Sequence, residues 1–154
     1  MMTPPAQGPT PTPSCDVLVI GGGPAGSTVA SLLADKGHQV VLLEKAHHPR
    51  FHIGESLLPA NLPLFERMGI AEQIRAIGMH KPGAEFVSME HGRAQSFSFS
   101  EAWDKSMPAA YQVRRAEFDE ILFRHARDKG VQALEGVKVT GVEFRPAGGA
   151  EVSA

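Results

Sequence analysis

The stretch DVLVIGGGPAGSTVASLLADKGHQVVLLE, residues 16–44, decides the fold. Val17-Leu18-Val19-Ile20 is a short unbroken apolar run stopped by glycines, the pattern of a parallel strand buried on both faces. From Pro24 to Lys36 the apolar residues Ala25, Val29, Leu32 and Leu33 recur at helical spacing. Pro24 suits a first helical turn and Gly37 a stop. Val40-Val41-Leu42-Leu43 gives a second buried strand, and Glu44 ends it. Strand, turn, helix and strand together make a βαβ unit, which places the chain in the α/β class with a parallel sheet.

The turn between the first strand and the helix has the spacing Gly21-x-Gly23-x-x-Gly26. Gly21 lets the chain turn sharply out of the strand, Gly23 leaves the backbone bare for a pyrophosphate, and Gly26 lets helix and strand pack closely. Pro24 and Ala25 open the helix, whose first-turn N–H groups and positive dipole end favour an anion. Glu44 stands where a carboxylate accepts hydrogen bonds from both hydroxyls of an adenosine ribose and repels a 2′-phosphate. The predicted ligand is a dinucleotide of the FAD or NAD type. An NAD domain would continue into another βαβ unit, whereas this chain runs through Arg50-Phe51-His52-Ile53-Gly54-Glu55-Ser56 into a helix.

Beyond Glu44 a loop from Lys45 to Ser56 leads to predicted helices over Pro59–Met68 and Ile70–Ile77, the first with Leu58, Leu62, Phe65 and Met68 on one face. Ala84–Met89 and Ser96–Ser100 read as strands about a His91-Gly92 turn, with Phe97 and Phe99 sharing a face. A short strand is expected at Tyr111–Val113. A helix over Ala116–Lys129 would bury Phe118, Ile121, Leu122 and His125, with Gly130 as its stop. Strands are expected over Val131–Leu134 and Val137–Phe144, the second with a bulge at Gly141. The fold expected is a Rossmann-like domain with a small β-meander. Ala150–Ala154 reads as the start of a returning strand with little to pair with, which suggests an incomplete domain lacking its C-terminal part and substrate domain.

Composition narrows the class. With 42% hydrophobic and 21% charged residues, the chain can build a packed core. The net charge of −2 offers no basic surface for nucleic acid. The single cysteine, Cys15, excludes an internal disulfide and fits a reducing, cytoplasmic setting. No apolar run is long enough for a membrane span. Residues 1–14 are rich in proline and threonine and read as a disordered tail, with residues 15–154 as the domain.

The segments Asp16–Lys45, Pro49–Ser56, Leu57–Leu62 and Val113–Asp119 together resemble the flavin-dependent halogenases and their relatives among the FAD monooxygenases and geranylgeranyl reductases. The resemblance implies FAD as cofactor, held at Gly21, Gly23, Pro24, Ala25, Gly26, Glu44 and Lys45. It implies that Arg50 lies near the cofactor, that Gly54-Glu55-Ser56 lies beside the flavin, that Arg115 supports the cofactor or its loop, and that the Val137–Val139 strand reads adenine, with Val139 in contact. Lys81, five residues before Phe86, matches the region of the halogenases' active-site lysine. In those enzymes reduced FAD and oxygen form a C4a-hydroperoxide, halide attacks it, and the lysine holds the resulting electrophile for an electron-rich substrate. A lysine suits this because its amine is a strong donor and, in a dry pocket, a nucleophile. A separate flavin reductase is the partner implied.

Taken alone, these residues allow plainer roles. Arg50 and Arg115 could be solvated or paired with carboxylates, Ser56 could cap the next helix, and Lys81 could be a solvated turn residue. His47, His48 and His52 lack the spacing of a metal site, and no metal is expected. The chain carries neither the tryptophan signature nor the second glycine–aspartate motif of the halogenases. Hydroxylation or alkene reduction, and a non-catalytic ADP-binding fragment, are the competing readings.

Overall fold

The computed structural model describes residues 14–154, so the expected tail lies, but for Ser14, outside the described residues. Strand β1 (Val17–Ile20), helix α1 (Pro24–Ala34) and strand β2 (Val40–Glu44) form the βαβ unit as expected. β1 pairs with β2 in parallel, Val17 opposite Val40 and Ile20 opposite Leu43. A third parallel strand, β7 (Gln132–Glu135), lies along the other edge of β2, with Glu44 opposite Glu135. β2 is therefore central. Its Val40 and Leu42 face α1 and the later helix residues Phe123 and Ala126, whereas on the other face the partners of Leu43, Ile20 and Leu134, are 53% and 40% exposed, so the expected burial on both faces holds for one face only.

Helix α4 (Arg115–Asp128) packs against α1 and lies between two cores. Its Phe123 and Ala126 join Ala30, Val40, Leu42, Val131 and Ala133 against the sheet. Its Phe118 and Leu122 join Leu57, Phe65, Met68, Ile70, Ile74 and Val113 on the other side. The latter core is closed by helices α2 (Leu62–Met68) and α3 (Ala71–Ile77). Because α4 buries more than one side, a single stripe through Phe118, Ile121, Leu122 and His125 describes only part of it; Phe123, Ala126 and Asp119 are buried as well.

The helix expected over Pro59–Met68 is divided into a 3-10 turn at Pro59–Asn61 and α2, because Pro63 lacks the N–H that a helix begun at Pro59 would give to the Pro59 carbonyl. Leu57, 7% exposed, enters the core; Leu58, 61% exposed, does not.

The expected meander is instead two separate pairings. β3 (Met79–Lys81) pairs antiparallel with β6 (Ala110–Gln112), and β4 (Gly83–Ser88) pairs antiparallel with β5 (Arg93–Ser98). Pro82 separates β3 from β4 because it has no N–H to give a ladder. Phe99 begins a 3-10 turn, Phe99–Glu101, so it does not continue the face of Phe97.

The strand expected over Val137–Phe144 is β8 (Gly141–Phe144) only. Gly136, at φ 76°, turns the chain off β7, and residues 137–140 carry no ladder. Gly141 opens β8 directly opposite Ser153, so no bulge is needed there. The closing segment, β9 (Ala150–Ser153), pairs with β8 along its whole length, which corrects the expectation of a strand with little to pair with.

Candidate functional site

The elbow leaving β1 is built as its glycines require. Gly21 takes φ +103°, a conformation disfavoured for any residue with a Cβ. A Cβ on Gly26 would lie 1.8 Å from the Gly21 carbonyl oxygen, so the helix reaches the strand only because Gly26 has none. A Cβ on Gly23 would meet nothing nearer than Arg50 Nη2, at 3.6 Å. The bare face of Gly23 therefore opens toward a guanidinium. Helix α1 starts here with Pro24 in its first turn and no side-chain cap, which leaves its first N–H groups for a ligand. Ala25 is exposed at this tip.

Glu44 sits against the same elbow. Its Oε2 accepts a hydrogen bond from Gly22 N–H at 2.7 Å and its Oε1 one from Ala46 N–H at 2.8 Å. Burial pushes this carboxyl up, but the bonds from Ala46 and Gly22 and the attraction of Arg50 and His48 outweigh it and hold it below its ordinary value. Each carboxylate oxygen has a second lone pair, so these bonds leave acceptor capacity for a ribose. Gly22 was given no role from the sequence, yet it too has no room for a side chain: a Cβ there would lie 2.7 Å from the Phe123 ring and 2.9 Å from Glu44 Cβ.

Arg50 projects from the loop after β2 into the space beside the elbow. Nη2 is 3.8 Å from Glu44 Oε2 and Nη1 is 3.6 Å from Asp119 Oδ2, both too long for hydrogen bonds. Its Nε is buried without a partner. A half-buried guanidinium with unspent donors, facing a bare glycine and a helix tip, fits the two phosphates of a dinucleotide.

Arg115, the first residue of α4, binds Asp119 through Nε at 2.7 Å and Nη2 at 3.0 Å. Its Nη1 donates to the carbonyls of Ile53 at 2.9 Å and Gly54 at 3.4 Å. Arg50 and Arg115 are thus paired with carboxylates, the plainer role weighed for them, and they are so beside the elbow and its loop. Asp119 is wholly buried and received no role from the sequence. Its signal was the i, i+4 spacing from Arg115.

Ser56 caps no helix. It makes a bridge to Gln112, and its Oγ accepts a hydrogen bond from Lys81 Nζ at 2.5 Å. The same amine donates to the Leu57 carbonyl at 3.1 Å and lies 5.2 Å from the centre of the Phe99 ring. Lys81, half-buried, is therefore held against the Gly54–Ser56 segment. The Glu55 carbonyl accepts from Val113 N–H at 2.8 Å, tying the segment to the residue after β6.

Not every expected residue joins this group. Lys45 is exposed. Val139 lies in the connection before β8, which is held at its ends by Val137 N–H on the Glu44 carbonyl and Thr140 N–H on the Ser153 carbonyl but is not a strand, so the expected strand backbone for adenine is absent there. His48 pairs with a carboxylate: its Nδ1 is 2.9 Å from Glu135 Oε1, and its ring stacks on Phe123 with centroids 4.7 Å apart.

Residues 14–152 match the FAD binding domain family. Among curated proteins, the flavin-dependent halogenase rdc2 of Metacordyceps chlamydosporia is 43% identical over 134 residues, which cover 86% of this chain and 24% of the relative. The solved structure of the myxobacterial chondrochloren halogenase CndH superposes with a TM-score of 0.78 at 41% identity, over 86% of this chain and 31% of that one. A flavoprotein/dehydrogenase from Cytophaga hutchinsonii superposes with a TM-score of 0.77 at 34% identity, over 90% of this chain and 36% of that one. The chain spans about a quarter of the length of the curated relatives it matches.

Proposed function

The chain belongs to the FAD binding domain family, with FAD as its cofactor, and from that premise we propose that it is the cofactor-binding part of a flavin-dependent halogenase acting on an electron-rich aromatic substrate. The observation that carries this reading is Lys81, whose amine is held against the Gly54–Ser56 segment by Ser56 Oγ and the Leu57 carbonyl.

The proposed division of labour follows the geometry. Gly21, Gly23 and Gly26 shape the elbow, Gly23 with the α1 tip at Pro24 and Ala25 receives the pyrophosphate, and Arg50 supplies the counter-charge. Glu44 takes the ribose hydroxyls, with Lys45 beside it at the rim. Gly54, Glu55 and Ser56, steadied by Arg115, form the wall on the flavin side. The backbone at Val139 stays assigned to adenine, from a connection rather than a strand. Reduced FAD supplies the electrons by which oxygen and halide yield an electrophilic halogen. Lys81 is the residue assigned to hold that electrophile, since its amine is anchored against the flavin-side wall by hydrogen bonds to Ser56 Oγ and the Leu57 carbonyl.

A flavin reductase is the proposed partner. No helix among the described residues is long and apolar enough to cross a membrane; the cytoplasm is the proposed location, in line with the lone cysteine.

The test is to titrate the purified chain with FAD and follow flavin fluorescence, then add a flavin reductase, NADH, chloride and a phenol. Flavin binding followed by a product with the chlorine isotope pattern is expected. A chain that leaves flavin fluorescence unchanged overturns the reading. The likeness to a flavoprotein/dehydrogenase favours a second reading, an FAD oxidoreductase that does not halogenate; flavin binding with a product independent of chloride would select it.

A further inference from the structure

Four charges alternate from the elbow to the flavin-side loop: Glu44, Arg50, Asp119 and Arg115. Glu44 holds the elbow through Gly22 N–H, and Arg115 holds the loop through the Ile53 and Gly54 carbonyls. The two ends meet at Asp119, which touches both guanidiniums and is 0% exposed. A carboxylate sealed in this way is tolerable only because two cations face it.

Residues 55–57 are tied to β6 and the residue after it, but the stretch 51–54 before them has little else to fix it. Phe51 is 87% exposed and Ile53 is 78% exposed, so no apolar burial anchors the stretch before Gly54. Its place comes from hydrogen bonds, and those of Arg115 are aimed by the two-point contact with Asp119. Two residues farther on, Ser56 holds Lys81. Asp119 itself rides on α4 between Phe118 and Leu122, both core residues, so its own position is rigid.

We infer that Asp119 is a positioning residue: from inside α4 it aims Arg115 at the Ile53–Gly54 carbonyls and Arg50 at the elbow, so that both halves of the FAD site share one frame. This rests on the reading of the elbow as the FAD site, so its first readout needs no flavin.

The experiment is hydrogen–deuterium exchange of the flavin-free chain and of Asp119→Asn, which keeps the shape and removes the charge. Exchange across residues 50–57 is expected to rise by about tenfold or more, with β2 and the core face of α4 within about twofold of the parent. FAD affinity is then expected to fall by about tenfold. Unchanged exchange at 50–57 in a folded Asp119→Asn overturns the inference. If Asp119→Asn loses its helical circular dichroism, Arg115→Gln replaces it, because Asp119 then keeps Arg50 as partner, and the same rise at 50–57 is expected. Loss of fold in both variants would make Asp119 a staple of the core and overturn the positioning role. A parent chain that binds no FAD but shows the loop response in the variant would sink the FAD reading and leave the link from Asp119 to the loop standing.

Discussion

Glu44 Oε2 accepts a hydrogen bond from the backbone N–H of Gly22 at 2.7 Å, so the acid at the end of β2 is built into the glycine elbow rather than waiting beside it. The contact has two consequences. The carboxylate fixes the elbow before any ligand arrives, and its remaining lone pairs are presented in a fixed direction.

Glu44→Gln is expected to cost about 1–3 kcal/mol of stability at neutral pH, because a buried N–H and a nearby guanidinium lose an ionised partner. The sign of the pH dependence follows from a folded carboxyl held below its ordinary value of 4.5. The contribution of Glu44 is complete above that value and is lost as pH falls through the lower folded one. Urea midpoints at neutral and acid pH check this: the variant should lose less stability on acidification than the parent.

The local part of this site was legible in the sequence. Gly21, Gly23, Gly26 and Glu44 belong to one βαβ unit, and a strand–turn–helix–strand pattern fixes their relative places. Of the quartet, only the i, i+4 pair Arg115–Asp119 had a local signal; its meeting with Arg50 and Glu44 was not legible, because a loop, a strand end and a helix far along the chain are brought together only by tertiary packing. Gly22 escaped notice for the same reason: its need to be small is imposed by Phe123, on α4. The strand at Val137–Val139 was misplaced because β-branched residues at alternate positions mimic a strand, while pairing, which Gly136 interrupts, decides whether one forms.

The glycines should separate by experiment. Gly26→Ala puts a Cβ 1.8 Å from the Gly21 carbonyl oxygen, a backbone atom that cannot step aside, and should destabilise by about 2–4 kcal/mol. Gly23→Ala meets only Arg50 Nη2, at an ordinary 3.6 Å, and should leave the melting temperature within about 2 °C while weakening FAD by about tenfold or more. Thermal melts with parallel FAD titrations read both effects. Equal loss of stability in the two variants would contradict the assigned roles.

His125 gives a second pH dependence, at milder acidity. Burial disfavours its imidazolium and Lys129 adds repulsion, against the opposing pull of Asp35 and Asp128, so it stays below its ordinary value of 6.5. The unfolded chain then takes up the proton first, and stability falls as pH drops from 6.5 toward the folded value. His125→Gln removes that titration. The stability gap between parent and variant should shift in favour of the variant between about pH 7.5 and 5.5, as read from urea midpoints.

Lys81 offers the sharpest division between binding and chemistry. Lys81→Met keeps the length of the side chain and an apolar stem near Phe99, while removing the donor to Ser56 Oγ and the Leu57 carbonyl. FAD affinity should stay within about threefold, because the elbow, Glu44 and Arg50 are untouched, whereas chlorinated product should fall by about 100-fold or more. Flavin titration and product mass spectrometry on the same preparation read the two quantities. A variant that loses both together would make the amine a support for the Gly54–Ser56 wall. One that keeps both would remove Lys81 from the chemistry, because the ordered contact with Ser56 would then serve packing alone.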